Sequence, residues 1–532
     1  MSLTAPMAAE LAVEAAPKPH SGNSRLLRNI AVLAGGQAVT WTLSLVWTVF
    51  VPRALGPAGM GELVVATSIT SIVSAAIGLG IGTLMVRDIA RNHGAAPRLV
   101  GQAIALRLVL AVPAVLAITA YAIAIHPPPE LALVMALATA AMVVGLFSGP
   151  FLVALQAMER MHYVAYSDVL SKAATALVGV ALVFVGFRLV ALMWLSLAMA
   201  AVVLVLSWWW SRPYFKIDWR VQAPRVGRMV IDSLPFWTTG LLLTFYMWID
   251  ALMLSVMVPT NVVGWYGVPT KLFGTLLFVP VILATAWLPR LSAAFREGVD
   301  PLRKTAKPAL ELVLVLCMPV AAGTALVAGP LIRDLYGPLF KPSVSVLIIL
   351  ALTLPPTYFN IIANQVLVAT NRQLSWTKVM VAAAVINPVL NFFLIQYFQS
   401  QQHNGAVGAA ISLLVTEVGM AIAGLLLVPG ILDSRSVMRL ARAAAATAGM
   451  VLVVWALNRS GLIVQTVAGA ATFGALAIVF RILTTEEFAV LRSKAAWVPA
   501  LPIRADRCSG SECRWMSRAS STPCAGCPKR WV

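Results

Sequence analysis

Charge is what this sequence lacks. Only 11% of its 532 residues are Asp, Glu, Lys or Arg and 60% are hydrophobic, whereas a soluble domain carries roughly 25% charged residues. That balance excludes a water-soluble domain and leaves a polytopic membrane protein. Histidine is also scarce: His20, His93, His126, His162 and His403 fall in tails or loops and form no catalytic or metal-binding constellation. No Gly-rich loop ending in Lys offers a cradle for ATP phosphates, so neither an enzyme nor an ATP-driven pump is expected. Cysteine is equally sparse. Cys317 sits inside an apolar run and reads as a packing residue, while Cys508, Cys513, Cys524 and Cys527 crowd the C-terminal end. The last pair has CxxC spacing, which suits tetrahedral zinc, but the first is CxxxxC and the segment between carries no folding signal. Cytoplasmic thiols kept reduced are the preferred reading, and no metal or cofactor is expected.

What is present is apolar runs. About fourteen are centred near residues 40, 73, 113, 142, 179, 200, 243, 276, 318, 356, 387, 418, 448 and 472, each long enough to cross a core of about 30 Å. The expected architecture is all-α, with two lobes of six transmembrane helices and two peripheral C-terminal helices. Its boundaries read 1–28 for a disordered tail, 29–211 for the first lobe, 212–228 for a basic linker and 229–431 for the second lobe. The peripheral pair then occupies 432–483, and a basic, Cys-containing tail occupies 484–532.

A formal net charge of +19 invites a nucleic-acid reading, which the placement of the charges removes. The N-terminal tail, the loops near 87–98, 160–172, 212–228, 290–307, 372–378 and 435–442, and the C-terminal tail hold about 32 of the 39 Lys and Arg residues. The opposite loops hold about five: Arg53, Arg188, Arg333, Lys341 and Arg459. This asymmetry puts both termini in the cytoplasm, with an even number of spans. No signal peptide is expected, because the first apolar run is too long and lacks a small-residue cleavage site.

Polar residues inside the runs are the functional candidates, since charge at membrane depth is costly unless it pairs, snorkels or faces water. Asp250 and Lys271 lie on consecutive segments, roughly 9 and 10 Å from the same face of the membrane. They could pair, as a structural bridge or as a switch. Arg107 lies about six residues inside its segment, within reach of the interface by snorkelling. Asn360 and Asn364 on one segment, and Asn387 and Asn391 on the next, are each four apart and share a helix face. They read as a cavity wall for a hydroxyl-rich substrate or as bonds between helices. Glu417 sits about 16 Å deep on so short a side chain that it cannot snorkel, so it is a candidate for proton or ion coupling. The cluster Trp208, Trp209 and Trp210 reads as an interfacial belt.

The two halves echo one another. VPRALGPAGMGELVVATSI follows the first segment much as VPTNVVGWYGVPTKLFG follows the seventh, with a two-residue gap. Parallel repeats of this kind suit a transporter whose bundles rock around a central site.

The turn RALGPAGMGE with GLGIGTLMVRDIAR, the stretch LPF…YMWIDALMLS…VGWYG and NPVLNFFLI…GAVGAAIS resemble prokaryotic polysaccharide-biosynthesis flippases. Those belong to the superfamily of multidrug and toxin extrusion antiporters and lipid II flippases. The resemblance covers roughly residues 25 to 480. It implies a V-shaped pair of lobes around a cavity in the plasma membrane, and export of an isoprenoid-pyrophosphate-linked oligosaccharide to the outer leaflet. Polysaccharide polymerase or export machinery would be the protein partner. A pyrophosphate headgroup needs fixed cations, and Arg53, Arg107 and Lys271 are the ones available. A multidrug antiporter and a lipid II flippase share the implied fold. A membrane glycosyltransferase or polymerase would need a sizeable outside loop bearing catalytic groups, and the outside loops are short.

Overall fold

The computed structural model describes residues 22–428 and 432–482. Residues 1–21 of the expected tail, and the C-terminal tail with its four cysteines, lie outside the described residues. In lipid there is no water to pair with main-chain N–H and C=O groups, so each segment must satisfy its own, which a helix does. The described residues accordingly hold helices and connecting turns, and no strand among them.

In chain order the helices are α1 (Gly22–Gly78), α2 (Ile81–Arg91), α3 (Ala96–Ile125), α4 (Pro129–Ala157), α5 (Met161–Ala173) and α6 (Gly179–Phe184). There follow α7 (Leu189–Ser211), α8 (Ala223–Met257), α9 (Thr260–Leu276), α10 (Phe278–Glu297) and α11 (Val299–Tyr336). The last are α12 (Ser343–Ala369), α13 (Gln373–Gln402), α14 (Gly405–Leu427), α15 (Ser434–Ala456) and α16 (Leu462–Val479). Thirteen stretches among the described residues are long and apolar enough to cross a membrane. The expected fourteen differ by one joint. α1 contains two consecutive segments with no loop between them, turned at Gly56, whose φ of 68° and ψ of 179° suit glycine, followed by Pro57. Two other spans are broken helices: α5 and α6 are joined by a π-helical turn, Ala174–Val178, and α9 and α10 meet at Leu277.

In the first half α4 packs on α7 and on α1, and α1 on α5; in the second, α12 packs on α9, α10, α11 and α14. The halves meet where α1 crosses α9. Here Gly61 and Gly264 allow main chain to touch main chain: a Cβ on Gly61 would overlap the Thr260 carbonyl, and one on Gly264 the Pro57 carbonyl. The contacts are reciprocal, so Gly61 is the counterpart of Gly264. That register needs a gap of four residues after the two Val-Pro exits, Val51-Pro52 and Val258-Pro259, rather than the expected two.

Proline shapes two further joints. Pro150 has no N–H for the Leu146 carbonyl, and Arg107 of α3 donates Nη1 to it instead. Pro280 likewise frees the Leu276 carbonyl, which accepts from Tyr358 Oη of α12. α15 and α16 pack on each other and on α11, and an ion pair joins buried Glu311 to half-buried Arg439 at 2.9 Å. At the end of α7, the Arg212 guanidinium lies 3.6 Å over the Trp208 ring.

Candidate functional site

Two constellations emerge, one made of carboxylates and amides, the other of lysines and hydroxyls. The first lies in the second half of the chain. Asp250 on α8 is only 4% exposed. Its Oδ2 accepts from Tyr266 Oη of α9 at 2.8 Å, and its Oδ1 from Asn391 Nδ2 of α13 at 2.6 Å. The same Asn391 amide donates to Asn387 Oδ1 at 2.9 Å, the interaction expected of two Asn one helical turn apart.

Glu417 on α14 is 6% exposed. It accepts from Asn360 Nδ2 of α12 at 2.7 Å and from Tyr246 Oη of α8 at 2.8 Å. Tyr246 precedes Asp250 by one turn of α8, which links the two acids through adjacent turns. Asn364, one turn beyond Asn360, takes no part. Asn360 Oδ1 and Asn391 Oδ1 are buried without a hydrogen-bond donor, and Asn387 Nδ2 without an acceptor. Two carboxylates with free amide oxygens nearby, and no ion pair to either among the described residues, form a site rich in hard oxygen acceptors, suited to a proton or a small cation.

Asp250 and Lys271 do not pair. Asp250 turns toward α13, whereas Lys271 Nζ lies 4.5 Å over the ring of Trp47 on α1. Lys271 lines a cavity of about 370 Å³ between α1, α5, α7 and α9, together with Lys172, Ser44, Thr67, Ser171 and Ser196. Among the described residues no carboxylate lines it. A second cavity of about 540 Å³ shares Thr67, Met193 and Ser196 with the first and extends along α1 past Thr70, Ser71 and Ser74 to Thr244 of α8. The four α1 hydroxyls follow helical spacing and present one face. Thr67, Thr70 and Ser196 donate to carbonyls of their own helices, which leaves their oxygens as acceptors toward the cavity.

Two of these features were missed by the sequence reading. Lys172 was placed in a basic loop, yet it lies midway along the span Met161–Phe184. The hydroxyl face carried a readable signal, the 67, 70, 71, 74 spacing.

The remaining cations lie elsewhere. Arg107 is 9% exposed and does not snorkel, since its guanidinium is turned onto α4. Arg53 is exposed and donates Nη1 to the Asp334 carbonyl at 3.2 Å, one of the unpaired carbonyls at the C-terminal end of α11. A metal cluster of three or more His, Cys, Asp or Glu is absent among the described residues.

Several solved structures share this fold. The lipid II flippase MurJ, in an inward-closed conformation, matches with a TM-score of 0.69 at 13% identity, over 85% of this chain and 99% of that one. A multidrug resistance MATE family transporter of the MOP superfamily, in an inward-facing conformation, matches with a TM-score of 0.56 at 20% identity, over 76% and 95%. In sequence, a probable flippase AglR of Haloferax volcanii is 27% identical over 184 residues, which is 34% of this chain and 37% of that protein. The match thus spans little more than a third of the relative. The model of the polysaccharide biosynthesis protein family matches residues 26–295. With about half its length under that match, in a multi-pass helical fold, the chain belongs to the polysaccharide biosynthesis protein family.

Proposed function

We propose that this protein is a flippase. It carries an isoprenoid-pyrophosphate-linked oligosaccharide from the cytoplasmic to the outer leaflet of the plasma membrane by alternating access, and passes it to polymerase or export machinery. The observation that carries the reading is the Lys271 cavity: an ammonium group among hydroxyl oxygens, without a carboxylate among the described residues of the lining. A phosphate headgroup needs the cation and a glycan needs the oxygens. Both termini and the basic loops face the cytoplasm in this reading.

The other candidates take different parts. Asp250 and Glu417, held by Asn387, Asn391 and Asn360, form the ion-coupling site. Arg107 positions α4 beside the cavity, and Arg53 holds α1 to α11. Binding shifts the protein between inward-open and outward-open states to the extent that the substrate prefers one of them.

The test is the leaflet distribution of lipid-linked oligosaccharide in a strain lacking the gene, read with a membrane-impermeant glycan label on spheroplasts. Restoring the gene returns label to the outer leaflet, and Lys271→Ala lowers that signal by about tenfold, the cost of one charge-assisted contact. Full restoration by Lys271→Ala removes the role of this residue. The buried acids favour a second reading, a cation-coupled drug antiporter. An unchanged leaflet distribution with altered sensitivity to cationic drugs would select it.

A further inference from the structure

Lys172 stands out because the fold spends a distortion on it. It is the next-to-last residue of α5, immediately ahead of the π-helical turn Ala174–Val178. A π-turn inserts an extra residue and shifts the face a helix presents, and such turns concentrate at functional sites. Here Ser171, Lys172 and Thr175 all reach the cavity that holds Lys271. Asp168, one turn back on α5, is the natural i,i+4 partner, yet the two form no ion pair. Opposite, the Trp47 indole Nε1 is buried with no acceptor. Two lysines and an unused N–H therefore border one small space within the membrane-spanning segments, Lys172 at its exposed side, with no carboxylate among the described residues that line it.

We infer that Lys172 is a specificity residue which, paired with Lys271, recognises a diphosphate by taking one phosphate on each lysine. The inference rests on the flippase reading and adds to it a residue and a selection rule. A diphosphate offers a separate phosphate to each lysine, whereas a single phosphate, even a doubly charged monoester, contacts one lysine and leaves the other without a bound oxygen. Lysine acts on phosphate as a point charge, so spacing between the two ammonium groups sets the preference rather than a rigid fork.

The experiment measures binding to the purified full chain in lipid nanodiscs. Its probes are farnesyl diphosphate, farnesyl monophosphate and inorganic pyrophosphate. The wild type binds farnesyl diphosphate at least tenfold tighter than the monophosphate, and inorganic pyrophosphate competes with it, which assigns recognition to the headgroup rather than the lipid tail. Lys172→Gln lowers diphosphate affinity at least tenfold and leaves monophosphate affinity within twofold. Lys172→Arg, which keeps the charge, retains the preference and controls for loss of folding. The double variant Lys172→Gln/Lys271→Gln loses less than the product of the single losses, because both lysines hold one ligand. Diphosphate binding that is normal in Lys172→Gln but impaired in Lys271→Gln would overturn this inference and leave the flippase reading intact. A wild type that binds none of the probes, or that pyrophosphate cannot compete for, would overturn it as well, the former together with that reading.

Discussion

Gly61 of α1 and Gly264 of α9 pack main chain against main chain, the Thr260 carbonyl filling the space that a side chain on Gly61 would need and the Pro57 carbonyl that of one on Gly264. The crossing joins the two halves of the molecule at equivalent positions. Replacing either by Ala places a methyl group against a carbonyl that belongs to a helix and cannot step aside. We expect Gly61→Ala and Gly264→Ala each to cost about 1–3 kcal/mol, the usual range for overpacking a tight contact. Thermal unfolding checks the loss, and cysteine labelling at Thr260 checks the opening: wild-type labelling rates in both variants would show that the crossing yields freely.

Arg107 and Pro150 should be coupled. Arg107 supplies the hydrogen bond that Pro150 cannot, so Arg107→Met leaves the Leu146 carbonyl buried and unsatisfied, at about 1–3 kcal/mol. Pro150→Ala restores the helical N–H. In that background Arg107→Met should cost less than half as much, a non-additivity that a double-mutant cycle of unfolding measurements reads directly. Equal costs in both backgrounds would assign Arg107 another task.

Asp250→Asn removes a charge while nearly keeping the shape. Tyr266 can turn its hydroxyl to accept, so the hydrogen-bond network survives and the protein folds. Transport in vesicles should fall at least about tenfold, the worth of roughly 1.4 kcal/mol, and the remainder should no longer respond to an imposed ion gradient. Asp250→Ala instead strands two buried donors and should destabilise the fold by about 1–3 kcal/mol.

The α15–α16 pair is fastened by charge. Breaking the Glu311–Arg439 pair with Glu311→Ala should cost about 1–3 kcal/mol, because the half-buried Arg439 loses a charge-assisted partner while keeping its bond to the Ile482 carbonyl. The neighbouring Asp433 caps α15 and meets Lys307 at 2.6 Å, and that hydrogen bond holds its carboxyl well below the usual carboxylate range. A lowered pKa contributes stability that is complete above the unfolded value of about 3.9 and disappears as pH falls through the folded one. Asp433→Asn keeps the cap and removes the charge. Its melting temperature should therefore lie below wild type by a constant interval from about pH 5 to 8, and the two should converge only in strong acid.

The spans were legible because length and apolarity are local properties, and the boundary read between the first two runs is the turn at Gly56, made without a loop. Asn387 and Asn391 were legible as a pair because helical spacing dictates it, and Glu417 because a short carboxylate at that depth must find partners. Asp250 and Lys271 illustrate what a sequence withholds. Their depths follow from counting residues, but the direction each side chain takes around its helix axis depends on packing. Lys172 escaped notice because the π-turn that starts at Ala174 leaves no mark in hydropathy, and a lysine beside an apolar run looks like its end. The partner of Arg107 is a carbonyl freed by a proline on another helix, which only the folded chain brings within reach.

The unbalanced lysines have an electrical consequence. With Lys172 and Lys271 lining one cavity and no carboxylate among its described lining residues, a carrier loaded with the proposed diphosphate would differ in charge from an empty one. A cycle that moves a diphosphate outward and returns empty would send a neutralised site one way and two positive charges the other. One charge crossing the full field is worth about 2.3 kcal/mol per 100 mV. An inside-negative voltage would then draw the empty protein back to the face where it loads, so that the resting potential resets the cycle without a coupled ion being spent on that step.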